Sequence, residues 1–355
     1  MSTPNPLRGL FHWKFAFYQL LLPAIRALGP GRADAILCAL GKAHARSWPP
    51  RRRALHAALE AAGEVLDLGP TDGPDGGPPP SAWPDLAAGA CRMLARDYLL
   101  DTRTDREALG RFEVRGEGAL RRAGESDRGA ILVGSHFGAH IAGLHWLFRS
   151  GLPVRALVQR PPHVSRTLGR YFDDLQPAGT DEDLFLRRGL APDAAVGILL
   201  RARAAIRRGR MVYLCGDIPW EGANTLKGRL LGREHRLLSI WTDLAALLGV
   251  PVFHVFCTHL PGGRYRLDID DVGRVRHGEE REALADYLKN LEGRIAARPD
   301  QAAAHLLWPC YHPAEGPPAA SPNPDPTSTP RPSRRKPARG PRSGSPSREG
   351  HIRRP

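Results

Sequence analysis

The chain has 355 residues, 42% of them hydrophobic, enough to bury a sizeable core in one large domain or two. Its five cysteines (Cys38, Cys91, Cys215, Cys257, Cys310) are far apart with no Cys-x-x-Cys pair, which argues against a disulfide scaffold or zinc ribbon and suits a reducing compartment. The net charge of +14 is uneven: residues 317–355 hold nine Lys/Arg against Asp325 and Glu349, and the remaining excess is scattered arginine without interleaved aromatics, so no specific nucleic-acid partner is expected.

Residues 1–68 read as an N-terminal helical region that associates with a membrane surface. Within it, residues 7–28 are rich in aromatics and leucine, and Lys14 and Arg26 flank an eleven-residue apolar core, Phe15 to Ile25, broken by Gln19 and Pro23. A spanning helix needs about 20 apolar residues, so this one is too short to cross a bilayer by itself. Trp13, Phe17 and Tyr18 beside basic residues suit an interfacial helix. A helix packed on the protein's own core is an equal alternative. No basic stretch followed by a small-residue cleavage site is seen, so no secretory signal is expected. Residues 32–62 read as further helix with a break at Trp48-Pro-Pro, and 69–84 as a Pro/Gly-rich linker.

An α/β domain is expected over 85–312. A helix from about Asp85 to Leu100 leads to an edge strand, Phe112-Glu-Val-Arg, then a turn and a short amphipathic helix. Ile131-Leu-Val133, bounded by Gly129 and Gly134, reads as a buried strand. A sharp turn through Ser135–Gly138 follows, then a helix from about Ala139 to Phe148. Pro153-Val-Arg-Ala-Leu-Val forms a second buried strand, with Arg166 and Arg170 on the next helix. An Arg-rich amphipathic helix spans 192–209, and Met211-Val-Tyr-Leu-Cys makes a third strand. A hairpin or loop over 220–236, a helix over 239–248, two strands from Pro251 and Gly263, a helix over 279–297 and the Leu306-Leu-Trp308 element complete the domain. The fold class is therefore α/β, a mostly parallel central sheet flanked by helices, with right-handed crossovers. Residues 313–355, rich in proline and nearly free of large apolar side chains, read as a disordered basic tail for anionic lipid or nucleic acid, or simply a solvated one.

His136 falls on a strand-to-helix turn at a strand's carboxyl end, where open α/β sheets place ligands. Gly138 and its small neighbours would let a substrate approach the backbone. Arg160 and Asp217 also follow strand ends, so His136, Arg160 and Asp217 should converge on one rim. Asp217 between Gly216 and Ile218-Pro219 is either a turn former or a site carboxylate.

The ordered set His136-Phe-Gly, Asp217-Ile-Pro, Gly228-Arg-Leu-Leu-Gly232, Gly249-Val-Pro-Val and Gly263-Arg-Tyr-Arg-Leu resembles the late acyltransferases of lipid A biosynthesis, within the lysophospholipid acyltransferase superfamily. The resemblance runs over roughly residues 10–310 and implies transfer of a fatty acyl group from acyl carrier protein or coenzyme A to a lipid hydroxyl. It implies no bound cofactor or metal, and a site on the cytoplasmic face of the inner membrane. On it, His136 is the general base and Arg160 or Arg166 a phosphate clamp. Asp217 takes the place of the Asp in the family's Asp-Gln, and Leu230-Leu231-Gly232 that of its Phe-Phe-Gly. The sequence departs from the family's His-x4-Asp/Glu at its last position, which is Ile141 and can carry no charge. Three outcomes follow. Asp217 or Glu221 supplies the acid from across the rim, His140 takes part, or the chain is a weakened relative that binds lipid or a partner.

A metal hydrolase is the rival class, because His136 and His140 have i, i+4 spacing with His145 nearby. Against it, the Glu of His-Glu-x-x-His is missing and Gly138 interrupts the helix. No Gly-x-Ser-x-Gly elbow surrounds Ser135, and no phosphate-binding glycine loop follows a strand.

Overall fold

The computed structural model describes residues 13–47, 82–101, 104–186, 192–220 and 224–311. Most of the 69–84 linker, the basic tail and Glu221 lie outside the described residues. After short helical pieces at Trp13–Phe15, Ala16–Leu21 and Leu22–Arg26 come α1 (Pro30–Ser47), α2 (Ala82–Ala95), β1 (Phe112–Arg115), α3 (Glu117–Gly124) and β2 (Ala130–Gly134). Next are α4 (His140–Arg149), β3 (Val154–Ala156), α5 (Arg166–Leu175), α6 (Pro192–Arg207) and β4 (Met211–Cys215). The chain goes on through β5 (Thr225–Leu230), β6 (Arg233–Leu238), α7 (Ile240–Leu248), β7 (Pro251–Leu260), β8 (Arg264–Arg274), α8 (Glu280–Ala297) and α9 (Ala303–Leu307).

Six strands form one sheet in the order β1-β8-β7-β2-β4-β3, and every neighbouring pair is parallel except β7 with β8. The sheet is thus mostly parallel, as expected, with one antiparallel pair. Pro261-Gly262-Gly263 is too short to cross over. Gly262 and Gly263 have φ near +80° and +70°, so the chain doubles back as a hairpin.

Strands β2 and β4 lie at the centre, and every residue in both is buried, as continuous apolar runs with helices on both faces should be. Alternation sorts their side chains. Ile131, Val133, Val212 and Leu214 pack with Ile206 of α6, Trp241 of α7 and Tyr287 of α8. Leu132, Met211 and Tyr213 pack with Leu144, Leu147 and Phe148 of α4 and Phe172 of α5. The edge strand β3 is sealed by Gln176, whose side-chain amide bonds both the N–H (2.6 Å) and the carbonyl (3.0 Å) of Ala156.

The N-terminal pieces are amphipathic in space. Tyr18, Leu22 and Ile25 are buried with Ala33 and Leu37 of α1 and with Ala95 and Leu99, while Trp13, Phe15, Leu20 and Leu28 face outward. Packing on the protein's own core takes up one face, and it includes Tyr18, which the interfacial reading had assigned to the headgroup side. No helix among the described residues is long and apolar enough to cross a membrane.

Candidate active site

In the parallel pairing of β2 with β4, Gly134 lies opposite Cys215, and the Gly216 amide donates to the Gly134 carbonyl (2.9 Å). Two residues beyond each of these, the chains leave the sheet side by side, which brings His136 and Asp217 together across 81 residues of sequence. The His136 amide donates to Asp217 Oδ2 (2.7 Å), and its ring Nδ1 lies 3.0 Å from Asp217 Oδ1. Asp217 is wholly buried, whereas 24% of the His136 side chain is exposed. A carboxylate facing Nδ1 holds the ring proton there and leaves Nε2 with its lone pair free. Burial alone would push the Asp217 carboxyl up. The His136 and His305 imidazoles and their hydrogen bonds outweigh it and hold the group far below the usual carboxylate range.

The third partner comes from the C-terminal end of the domain. Gln301 anchors that stretch to β7, accepting from the His259 amide (2.9 Å) and donating to the His259 carbonyl (2.8 Å), while the Gly138 amide donates to the Gln301 carbonyl (3.0 Å). From there α9 sets the buried His305 with Nε2 2.8 Å from Asp217 Oδ2. The following turn brings the Tyr311 hydroxyl to 3.4 Å from His136 Nδ1 and the Trp308 ring to 5.4 Å from the His136 ring. Sequence reasoning missed His305 and Tyr311. Both sit in an Ala/Leu-rich stretch that reads only as packing, and nothing in its pattern points back to Asp217.

Gly138 packs tightly against the protein itself. It is buried at φ +60°, and a Cβ there would run into the Cys257 carbonyl oxygen of β7. The small side chain is what lets this turn sit against β7. The Ser135 hydroxyl accepts the Phe137 amide (3.2 Å), closing the same turn. Arg160 does not join His136 and Asp217 on the rim. Its guanidinium pairs with Asp173 (2.7 Å) and lies over the Phe172 and Phe185 rings, because β3 is the outermost strand and its exit turns toward α5. Arg166 is exposed on the first turn of α5. That helix end is already occupied by the chain's own carboxylates: Asp97 accepts from the Ser165 amide (3.0 Å) and Asp101 from the Thr167 amide (3.3 Å). Arg96, which sequence reasoning passed over, holds a left-handed backbone (φ +53°), a conformation that strains a residue bearing a Cβ. Its Nε is buried without a partner, and its charge acts on His140.

His140 lies with its ring 5.2 Å from that of His136. Burial, then the neighbouring His136, pushes its pKa well below the ordinary value, and its Nδ1 has no partner. His145 belongs elsewhere, since its Nδ1 is 2.8 Å from the buried Asp97. The histidine trio of the metal reading is therefore split. Donor atoms of His136, Cys215 and Asp217 do come within 4.8 Å of one another. Burial, then the charge of Asp217, pushes the Cys215 thiol up.

Ile141 is buried in the apolar cluster with Leu144 and Phe148. A glutamate at this position would put a charge into that cluster. Ile141→Glu is expected to lower stability by about 2–4 kcal/mol in urea unfolding, without giving the imidazole a new partner, since Asp217 already occupies Nδ1.

None of the curated proteins compared with the chain matches it. The model of one family, bacterial lipid A biosynthesis acyltransferase, matches residues 88–303, which takes in β1 through α8, the His136 turn, Asp217 and Gln301. That match spans well over half of the chain, and so the protein belongs to the bacterial lipid A biosynthesis acyltransferase family.

Proposed function

We propose that the chain transfers a fatty acyl group from a thioester, on acyl carrier protein or coenzyme A, to a hydroxyl of a lipid A precursor or a related glycolipid or phospholipid. The observation that carries this reading is the imidazole of His136, fixed by a buried carboxylate and open to solvent on one side. His136 Nε2 takes the proton of the acceptor hydroxyl as its oxygen attacks the thioester carbonyl carbon. The tetrahedral adduct then collapses with cleavage of the C–S bond, and the imidazolium returns the proton to the departing sulfur. Asp217 supplies from β4 the charge that Ile141 cannot supply from α4. This favours an active enzyme over a lipid-binding relative with a weakened site.

Arg166 remains a candidate for the acceptor's phosphate, and Arg96 joins it as the cation bearing on the His136–His140 pair. Arg160 would first have to release Asp173. The outward row Trp13, Phe15, Leu20 and Leu28, with Lys14 over the Trp13 ring (5.8 Å), suits docking at the headgroup level of the inner membrane's cytoplasmic leaflet.

The test is to incubate the purified full chain with acyl carrier protein or coenzyme A labelled in its acyl group, and with vesicles containing a lipid A precursor. Label should appear in an ester of the lipid. Release of free fatty acid alone would point to hydrolysis, and vesicle binding without transfer would point to a binding protein.

A further inference from the structure

We propose that His305 is a positioning residue of the transfer reaction, donating from Nε2 to Asp217 Oδ2 so that the other carboxylate oxygen must face the His136 ring. The proposal rests on the reading of His136 as the base. It also concerns a residue just beyond the region that the family match covers.

An aspartate side chain can turn about its last bond, so one hydrogen bond to His136 Nδ1 would not fix the carboxylate plane. Two donors on Oδ2 do fix it: the His136 amide at 2.7 Å and His305 Nε2 at 2.8 Å. With Oδ2 taken, Oδ1 is left for the ring proton of His136 at 3.0 Å. Among the described residues His305 has no other polar partner, since its Nδ1 is buried without one. Leaving a buried ring nitrogen unpaired is costly, and in an Ala/Leu helix an apolar side chain would fill this space without that cost. The bond to Asp217 is what an apolar residue could not reproduce. The Tyr311 ring lies against the imidazole (4.8 Å between centroids), and Gln301 anchors the stretch that carries it to β7.

The titratable neighbours do not confuse a pH profile. His140 from α4 is pushed well below its ordinary range, and Cys215 from β4 and Tyr287 from α8 well above theirs, in each case first by burial. Tyr311 and Cys310 in the last turn are raised likewise. Removing the His305 donor lets the Asp217 carboxyl climb back toward the ordinary range. Even so the carboxyl stays ionised near neutral pH, and the loss comes from a carboxylate plane free to turn, which no longer holds the ring proton on Nδ1.

The experiment measures acyl transfer by the full chain from about pH 4 to 9, for the native protein, His305→Phe and His305→Gln. His305→Phe should lower kcat by about 10–100-fold with KM nearly unchanged. The amide of His305→Gln can still donate and should restore much of that loss. In parallel, nitrogen NMR of histidine-labelled protein reads the His136 tautomer whether or not transfer is detected. The Nδ1–H form should dominate in the native chain and decline in His305→Phe. A His305→Phe protein that keeps kcat would overturn the proposal. So would a fall in kcat with the tautomer unmoved, the mark of a merely structural residue. If His136→Ala still transfers acyl groups, the base reading fails instead, and the tautomer result alone then decides the role of His305.

Discussion

Replacing His136 with Ala is expected to reduce acyl transfer by at least about 10³-fold, to the background given by substrate binding alone, while the fold stays intact. The imidazole is half-buried, and among the described residues it makes polar contacts only with Asp217 and Tyr311, so little packing is lost with it. The backbone amide that bonds Asp217 Oδ2 remains in the variant and keeps the turn in place. The rate should therefore collapse while vesicle binding changes little and urea unfolding loses only about 1–3 kcal/mol, for the bond taken from the buried Asp217. Transfer that survived within tenfold of the native rate would show that another group takes the hydroxyl's proton.

Asp217→Asn should come close to the same loss, by a different route. Oδ2 faces two donors, the His136 amide and His305 Nε2, so the asparagine must turn its carbonyl oxygen toward them. Its NH2 group then faces His136 Nδ1 and demands an acceptor there. The ring proton moves to Nε2, the atom that must be free to act as base. In the serine protease triad the same exchange of carboxylate for amide costs about 10⁴ in kcat with the geometry kept, and a loss of about 10³–10⁴ is expected here with KM within a few-fold. Nitrogen NMR of the His136 ring reports the tautomer directly. An Asp217→Asn protein with near-native kcat would mean that Asp217 serves only the fold.

Much of this arrangement could be read from residue order, and the reasons are physical. Buried central strands announce themselves as short apolar runs between glycines, so β2 and β4 were legible, and parallel pairing then placed their exits on one rim. Whether Asp217 would be a turn former or a partner of His136 was not legible. That depends on the strand register, Gly134 against Cys215, which no local pattern encodes. Arg160 shows the opposite limit. A place at a strand's carboxyl end was right, but the side chain answers to Asp173 and two aromatic rings that sequence spacing does not reveal. His305 was invisible for a third reason: its one polar contact reaches back 88 residues, from a helix whose composition speaks only of packing.

The union of two strand exits with a C-terminal turn also has a consequence for how the chain acquires its activity. The contacts that define the site join residues separated by 81, 88 and 175 positions. Contacts so distant in sequence form late, after the loops between them have lost their freedom. Nascent chains still lacking the Gln301–Tyr311 stretch would hold His136 and Asp217 without the clasp that aligns them. Recovery of acyl transfer during refolding should accordingly lag behind recovery of helical signal, making catalysis the last property the protein regains.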